Sequence, residues 1–95
     1  MIICKSINIV GSTGIQYSLS IYPIAKENIC LEAVGVFLKL EDNVFKPQYT
    51  ADLNDYHSEP PLDKNATHLA ILMEERSEQR AKILADIEGG MKGGI

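Results

Sequence analysis

The chain has 95 residues, 45% of them hydrophobic and 23% charged, with 13 acidic against 9 basic side chains and a net charge of −4. That length makes one small domain with a single core, and no apolar run approaches the roughly 20 residues that a membrane-spanning helix needs. The acid excess lies in the second half, where residues 51–95 hold nine acids and five bases against four of each in residues 1–50, the wrong sign for a surface that neutralises phosphates with Lys and Arg.

Met1 to Lys5 lacks the basic start, long apolar stretch and small-residue cleavage site of an export signal, because Lys5, Ser6 and Asn8 interrupt it. A soluble, cytoplasmic chain is the expectation. Cys4 and Cys30 share no close metal-ligand spacing and read as buried free thiols.

Taken in chain order, Lys5 to Val10 alternates Ile7 and Ile9 with Ser6 and Asn8, and Tyr17 to Ile21 alternates Tyr17, Leu19 and Ile21 with two serines. Both patterns predict half-buried strands. Between them Gly11-Ser12-Thr13-Gly14 carries two glycines able to take positive φ, as a short hairpin loop requires. It lacks the Gly-Lys-Ser/Thr that would make it a phosphate-binding loop. Pro23, with no amide hydrogen for a ladder, ends the second strand, and a polar connection follows at Lys26-Glu27-Asn28.

Ile29 to Leu40 predicts a third strand, with Val34, Val36, Leu38 and Leu40 on one face. Glu41-Asp42-Asn43 predicts a turn and Val44 to Tyr49 a fourth strand. Thr50 to Asn65 is polar and proline-containing, with at most a short helical turn from Asp52, and Thr67 to Met73 predicts a further strand. Glu74 to Glu88 predicts a helix on the spacing of Ala81, Ile83, Leu84 and Ile87, with Glu74 and Glu75 favoured by the dipole at its start. The glycines after Glu88 disfavour helix, so residues 89–95 are expected to be a flexible Gly-rich tail on a single domain spanning 1–88. The pattern as a whole predicts an α+β fold, an antiparallel sheet with a short helix and a longer C-terminal one.

The run from Gly35 to Ala51 reads G-V-F-L-K-L-E-D-N-V-F-K-P-Q-Y-T-A, followed by Asp52-Leu53-Asn54, then Ala66-Thr67-His68-Leu69, then Glu74-Glu75-Arg76 with Arg80. In order and content this resembles a small-protein branch of the GIY-YIG nuclease domains. Their first hairpin carries a Gly-Ile/Val-Tyr and a Tyr-Ile-Gly triplet, followed by a helix opening Asp-Leu-Arg, a strand opening Gly-Ala-Thr-His-Val and a helix rich in Glu and Arg. The resemblance covers about residues 35 to 88 and implies three family strands, with the hairpin in residues 1–23 as an added element.

The resemblance also implies a mechanism: a tyrosine from each triplet and a helical arginine around the scissile phosphate, and a glutamate on the later helix holding a divalent metal. This chain has Phe37 at the first tyrosine, Tyr49 at the second, Tyr56 as the best match to the arginine, and Leu84 as the best match to the glutamate. The glycine of the second triplet is Ala51. With the hydroxyl, the cation and the metal ligand gone, the resemblance implies a pseudo-nuclease with no catalytic residue, no cofactor and no resident metal.

The expected function is a protein-binding or regulatory module. Phe37, Tyr49 and Tyr56 would form an aromatic surface rimmed by Asp52, Asp55, Glu59 and Asp63, suited to a basic protein partner. Tyr49 reads equally as a relic of the active site or as a strand aromatic in the core. The alternative is a divergent metal-dependent nuclease or nucleic-acid binder in which Asp86 or Glu88 has taken over the metal; otherwise these two are solvated helix charges. His57, Glu59, Asp63 and His68 fit no common metal-ligand pattern, and the terminal glycine pairs do not sit in a ubiquitin-like order of elements. The N-terminal hairpin either extends the sheet or presents an edge for dimerisation.

Overall fold

A computed structural model describes residues 5–24, 32–55 and 66–93. Five strands, β1 (Lys5–Val10), β2 (Gln16–Pro23), β3 (Ala33–Glu41), β4 (Val44–Asp52) and β5 (His68–Met73), form one sheet in the order β1-β2-β5-β3-β4. Every neighbouring pair is antiparallel. A 3-10 turn, Leu53–Asp55, follows β4, and one helix, α1 (Ser77–Gly93), closes the described chain. The fold is α+β, as the pattern predicts.

The N-terminal hairpin is not an appendage. β2 pairs with β5 from Ser20↔Ile71 to Pro23↔His68, so the hairpin extends the sheet and makes β1 one of its edges. The predicted turn at Glu41-Asp42-Asn43 is a tight hairpin in which Asp42 and Asn43 both take positive φ, 53° and 66°, the conformation whose twist matches the flanking strands.

Alternation along the strands sorts the core into two layers. Ile9, Leu19, Ile21, Val34, Val36, Leu38 and Ala70 face α1 and pack with its Ile87, while Ala33, Phe37, Ala51, Leu53 and Leu69 pack on the other face. β3, an interior strand between β5 and β4, is buried on both faces from Ala33 to Leu38. The sheet curls strongly: Lys5 of β1 places its ammonium 5.8 Å from the ring centre of Phe45 on β4, at the opposite edge. Helix α1 packs on β1, β3 and β4 and so bridges the two edges.

Apart from the start of β3, predicted at Ile29 outside the described residues, the strand ends lie within about three residues of those predicted, β4 running on to Asp52 rather than Tyr49, and the helix differs at both ends. The helix begins at Ser77 rather than Glu74, because Glu74 still donates its amide to the Glu32 carbonyl in extension of the sheet, and the Glu74 and Glu75 carbonyls both accept from Arg80 Nη1 at 2.9 Å. It also runs through Gly89 to Gly93, which glycine propensity assigned to a tail. The reason is close packing: a Cβ on Gly90 would collide with the Val10 carbonyl oxygen, and one on Gly89 would lie 3.1 Å from the Ser12 side chain. Met91 joins the core from the same turn. Tertiary contact there outweighs a propensity deficit of about 1 kcal/mol per glycine.

Candidate functional site

The two triplets pair residue for residue across the β3–β4 hairpin: Gly35↔Ala51, Val36↔Thr50 and Phe37↔Tyr49. Phe37 and Tyr49 stack with ring centres 4.5 Å apart and planes inclined by 17°. Phe37 is wholly buried and Tyr49 half-buried, so Phe37 supports Tyr49 and offers no surface of its own. Gly35 is explained by packing: a Cβ there would lie 2.8 Å from the Leu53 side chain, which the 3-10 turn folds back onto β3.

Beyond Phe37 the register shifts, and Gln48 is the extra residue that bulges from β4. The bulge and Pro47 mark the edge of the sheet facing the last turns of α1. An open groove of about 480 Å³ lies there, lined by Pro47, Gln48, Tyr49 and Thr50 on the strand and Glu88, Met91 and Lys92 on the helix. Glu88 and Lys92 pair with each other across one helical turn at 2.9 Å.

Of the remaining carried-over positions, Leu84 packs against the core. Tyr56 lies outside the described residues, as do Cys4, Cys30, His57, Glu59, Asp63 and the side chain of Asp55. Asp52, expected on an acidic rim, is turned to the nearly buried Arg80, 3.3 Å from its Nε, and accepts the Asn54 amide. That pairing ties the end of β4 to α1 and removes one acid from the rim.

Asp86 is no solvated helix charge. It is only 9% exposed, and four donors from the β1–β2 hairpin converge on its carboxylate. Ser12 Oγ (2.8 Å) and the Thr13 amide (2.9 Å) donate to Oδ1; Thr13 Oγ1 (2.9 Å) and the Tyr17 hydroxyl (2.6 Å) donate to Oδ2. The Ser12 amide also donates to the Asp86 carbonyl at 3.0 Å. Donation from Tyr17 above all, then from the Thr13 amide, holds the Asp86 carboxyl far below the usual range. The same bond, with burial and the neighbouring charge, pushes Tyr17 up to about 12. Gly11 lets the loop approach, since a Cβ there would collide with the Asp86 carboxylate.

The hydroxyl residues of this cluster were visible in Gly11-Ser12-Thr13-Gly14, but nothing local marks a carboxylate more than seventy positions away as their partner. Among the described residues no group of three or more His, Cys, Asp or Glu is placed to hold a metal, and no helix is long and apolar enough to cross a membrane. Comparison of the chain with protein-family models, with curated proteins and with solved structures found no match to any of them.

Proposed function

We propose that this chain is a non-catalytic, GIY-YIG-like domain that acts by binding a protein partner through the groove between β4 and the end of α1. The observation that carries this reading is the groove itself: Tyr49, backed by Phe37, stands in a cleft about 480 Å³ in size whose other wall is Met91 between Glu88 and Lys92. Its mixture of an aromatic, a methionine and a rim of opposed charges is the composition of protein-binding surfaces. The net charge of −4 favours a basic partner over a nucleic acid.

The in-register pairing of the two triplets supports the family resemblance, and the side chains at the family's chemical positions support the loss of cleavage. The alternative, a nuclease that has moved its metal ligand to Asp86 or Glu88, gains no support from the geometry. Both Asp86 oxygens are engaged by hairpin donors, and Glu88 is paired with Lys92.

A tagged pull-down from native extract, half of it nuclease-treated, tests the reading. A stoichiometric protein is expected to survive nuclease and to be lost from a Gln48→Arg/Glu88→Arg double variant, both positions being exposed. Recovery of nucleic acid alone, or of a protein indifferent to the double variant, would sink it.

A further inference from the structure

The end of the curled sheet away from the Asp86 cluster holds a second concavity, about 150 Å³ in volume, lined by Lys5, Ile21, Pro23, Leu40, Phe45 and His68. It forms where the starts of β1, β4 and β5 meet the ends of β2 and β3. Four of its six residues are apolar, and the two polar ones are both nitrogen bases.

Their state follows from their contacts. The Leu40 amide donates to Thr67 Oγ1 at 2.8 Å, and that hydroxyl lies 2.9 Å from His68 Nδ1. The hydroxyl hydrogen has no other acceptor among the described residues, so Thr67 donates to Nδ1 and the neutral ring carries its hydrogen on Nε2. The rings of His68 and Phe45 meet nearly at right angles, 4.9 Å between centres at 80°. Lys5 sits over the same Phe45 and makes no ion pair among the described residues. Two donors therefore line an apolar mouth that no carboxylate of the described residues enters.

We propose that this mouth binds a carboxylate on a short apolar stem, with Lys5 and His68 holding the carboxylate and Ile21, Pro23, Leu40 and Phe45 taking the stem. The volume is well under the ~300 Å³ at which drug-sized ligands begin to be enclosed, which sets the stem at a few carbons. Burial first, and the Lys5 charge second, hold His68 below its usual pKa. A bound carboxylate opposes both effects, so binding and protonation of His68 strengthen each other. Among the described residues Lys5 is the one charged group lining the mouth beside the ring; Ile21 and Pro23 of β2, Leu40 of β3 and Phe45 of β4 carry no charge. The chemistry is shared by a free short-chain acid and by the C-terminal residue of a polypeptide. The site is separate from the β4–α1 groove and stands or falls independently of it.

The test is the pH titration of the His68 ring by NMR on the full chain, its resonances assigned with a His57→Gln variant. Isovalerate at on the order of 10 mM is expected to raise the His68 midpoint by about half a unit or more, while its neutral isostere isovaleramide leaves it unmoved. Lys5→Met abolishes the shift and Lys5→Arg keeps it, with the spectrum itself reporting that each variant is folded. Identical curves in isovalerate and isovaleramide, or a shift that persists in Lys5→Met, would overturn the proposal. Peptides ending in leucine with a free or an amidated C-terminus separate the sources: tighter binding of the free form than of isovalerate assigns the mouth to a polypeptide tail, and the reverse order assigns it to a free acid.

Discussion

Asp86 and Gly90 lie one turn apart on α1, and both meet the β1–β2 hairpin, one by hydrogen bonds and the other by having no side chain. Gly90→Ala tests which force governs the last turns. Helix propensity alone predicts a gain of about 1 kcal/mol, whereas a methyl driven into the Val10 carbonyl predicts a loss of roughly 1–3 kcal/mol. A fall in the urea midpoint is expected. For Asp86, the folded-state pKa lies below the ordinary 3.8, so its bonds contribute fully above that pH and are lost as pH falls toward the folded value. Asp86→Asn should lower the melting temperature at neutral pH and flatten its decline below about pH 4, measured by melts across an acid series. Tyr17 has the opposite sign. Its pKa is raised from 10.0 to about 12, so its contribution is complete below pH 10 and lost as pH rises through 12. In an alkaline absorbance titration one of the four tyrosines should ionise late, and Tyr17→Phe should remove that late step.

At the scale of elements, the β3–β4 hairpin and the 3-10 turn after it behave as one unit, because Leu53 is wholly buried and folds onto Gly35. Leu53→Ala should therefore destabilise by about 2–5 kcal/mol in denaturant unfolding, in the range of a core cavity. The turn itself depends on left-handed backbone at Asp42 and Asn43. Asn43→Val is expected to cost about 1–2 kcal/mol, since a β-branched residue resists that conformation; Asn43→Gly should be neutral or slightly stabilising. These elements were largely legible in advance. Two-residue alternation located β1, β2 and β3, apolar density located β5, and Asp42-Asn43 announced the turn between β3 and β4. The helix was displaced at both ends, because Glu74 is held by a strand and Gly89–Gly90 by a hairpin, neither of them a local preference.

For the whole molecule, the consequence is that the hairpin is part of the core rather than an addition to it. The N-terminal hairpin supplies Ile9, Leu19 and Ile21 to the layer under α1, pairs with β5, and contributes all four donors to the Asp86 carboxylate. Removing residues 1–23 would strip the edge of β5 and orphan the buried carboxylate. A truncated chain starting at Ile24 is expected to lose cooperative melting by circular dichroism; a cooperative transition in it would show that the hairpin is dispensable after all.

What the sequence determined by itself was the class of fold and the approximate strand positions, because these depend on residue identity and on hydrophobic patterning within a few positions. Only the tertiary structure decided that the hairpin joins through β5, that Phe37 lies beneath Tyr49, that Asp52 turns to Arg80, and that Asp86 is a buried acceptor of hairpin hydroxyls. Each of those joins residues far apart in the chain. The pairing energy exists only once the sheet has curled and α1 has closed over it, and local preference carries no trace of it.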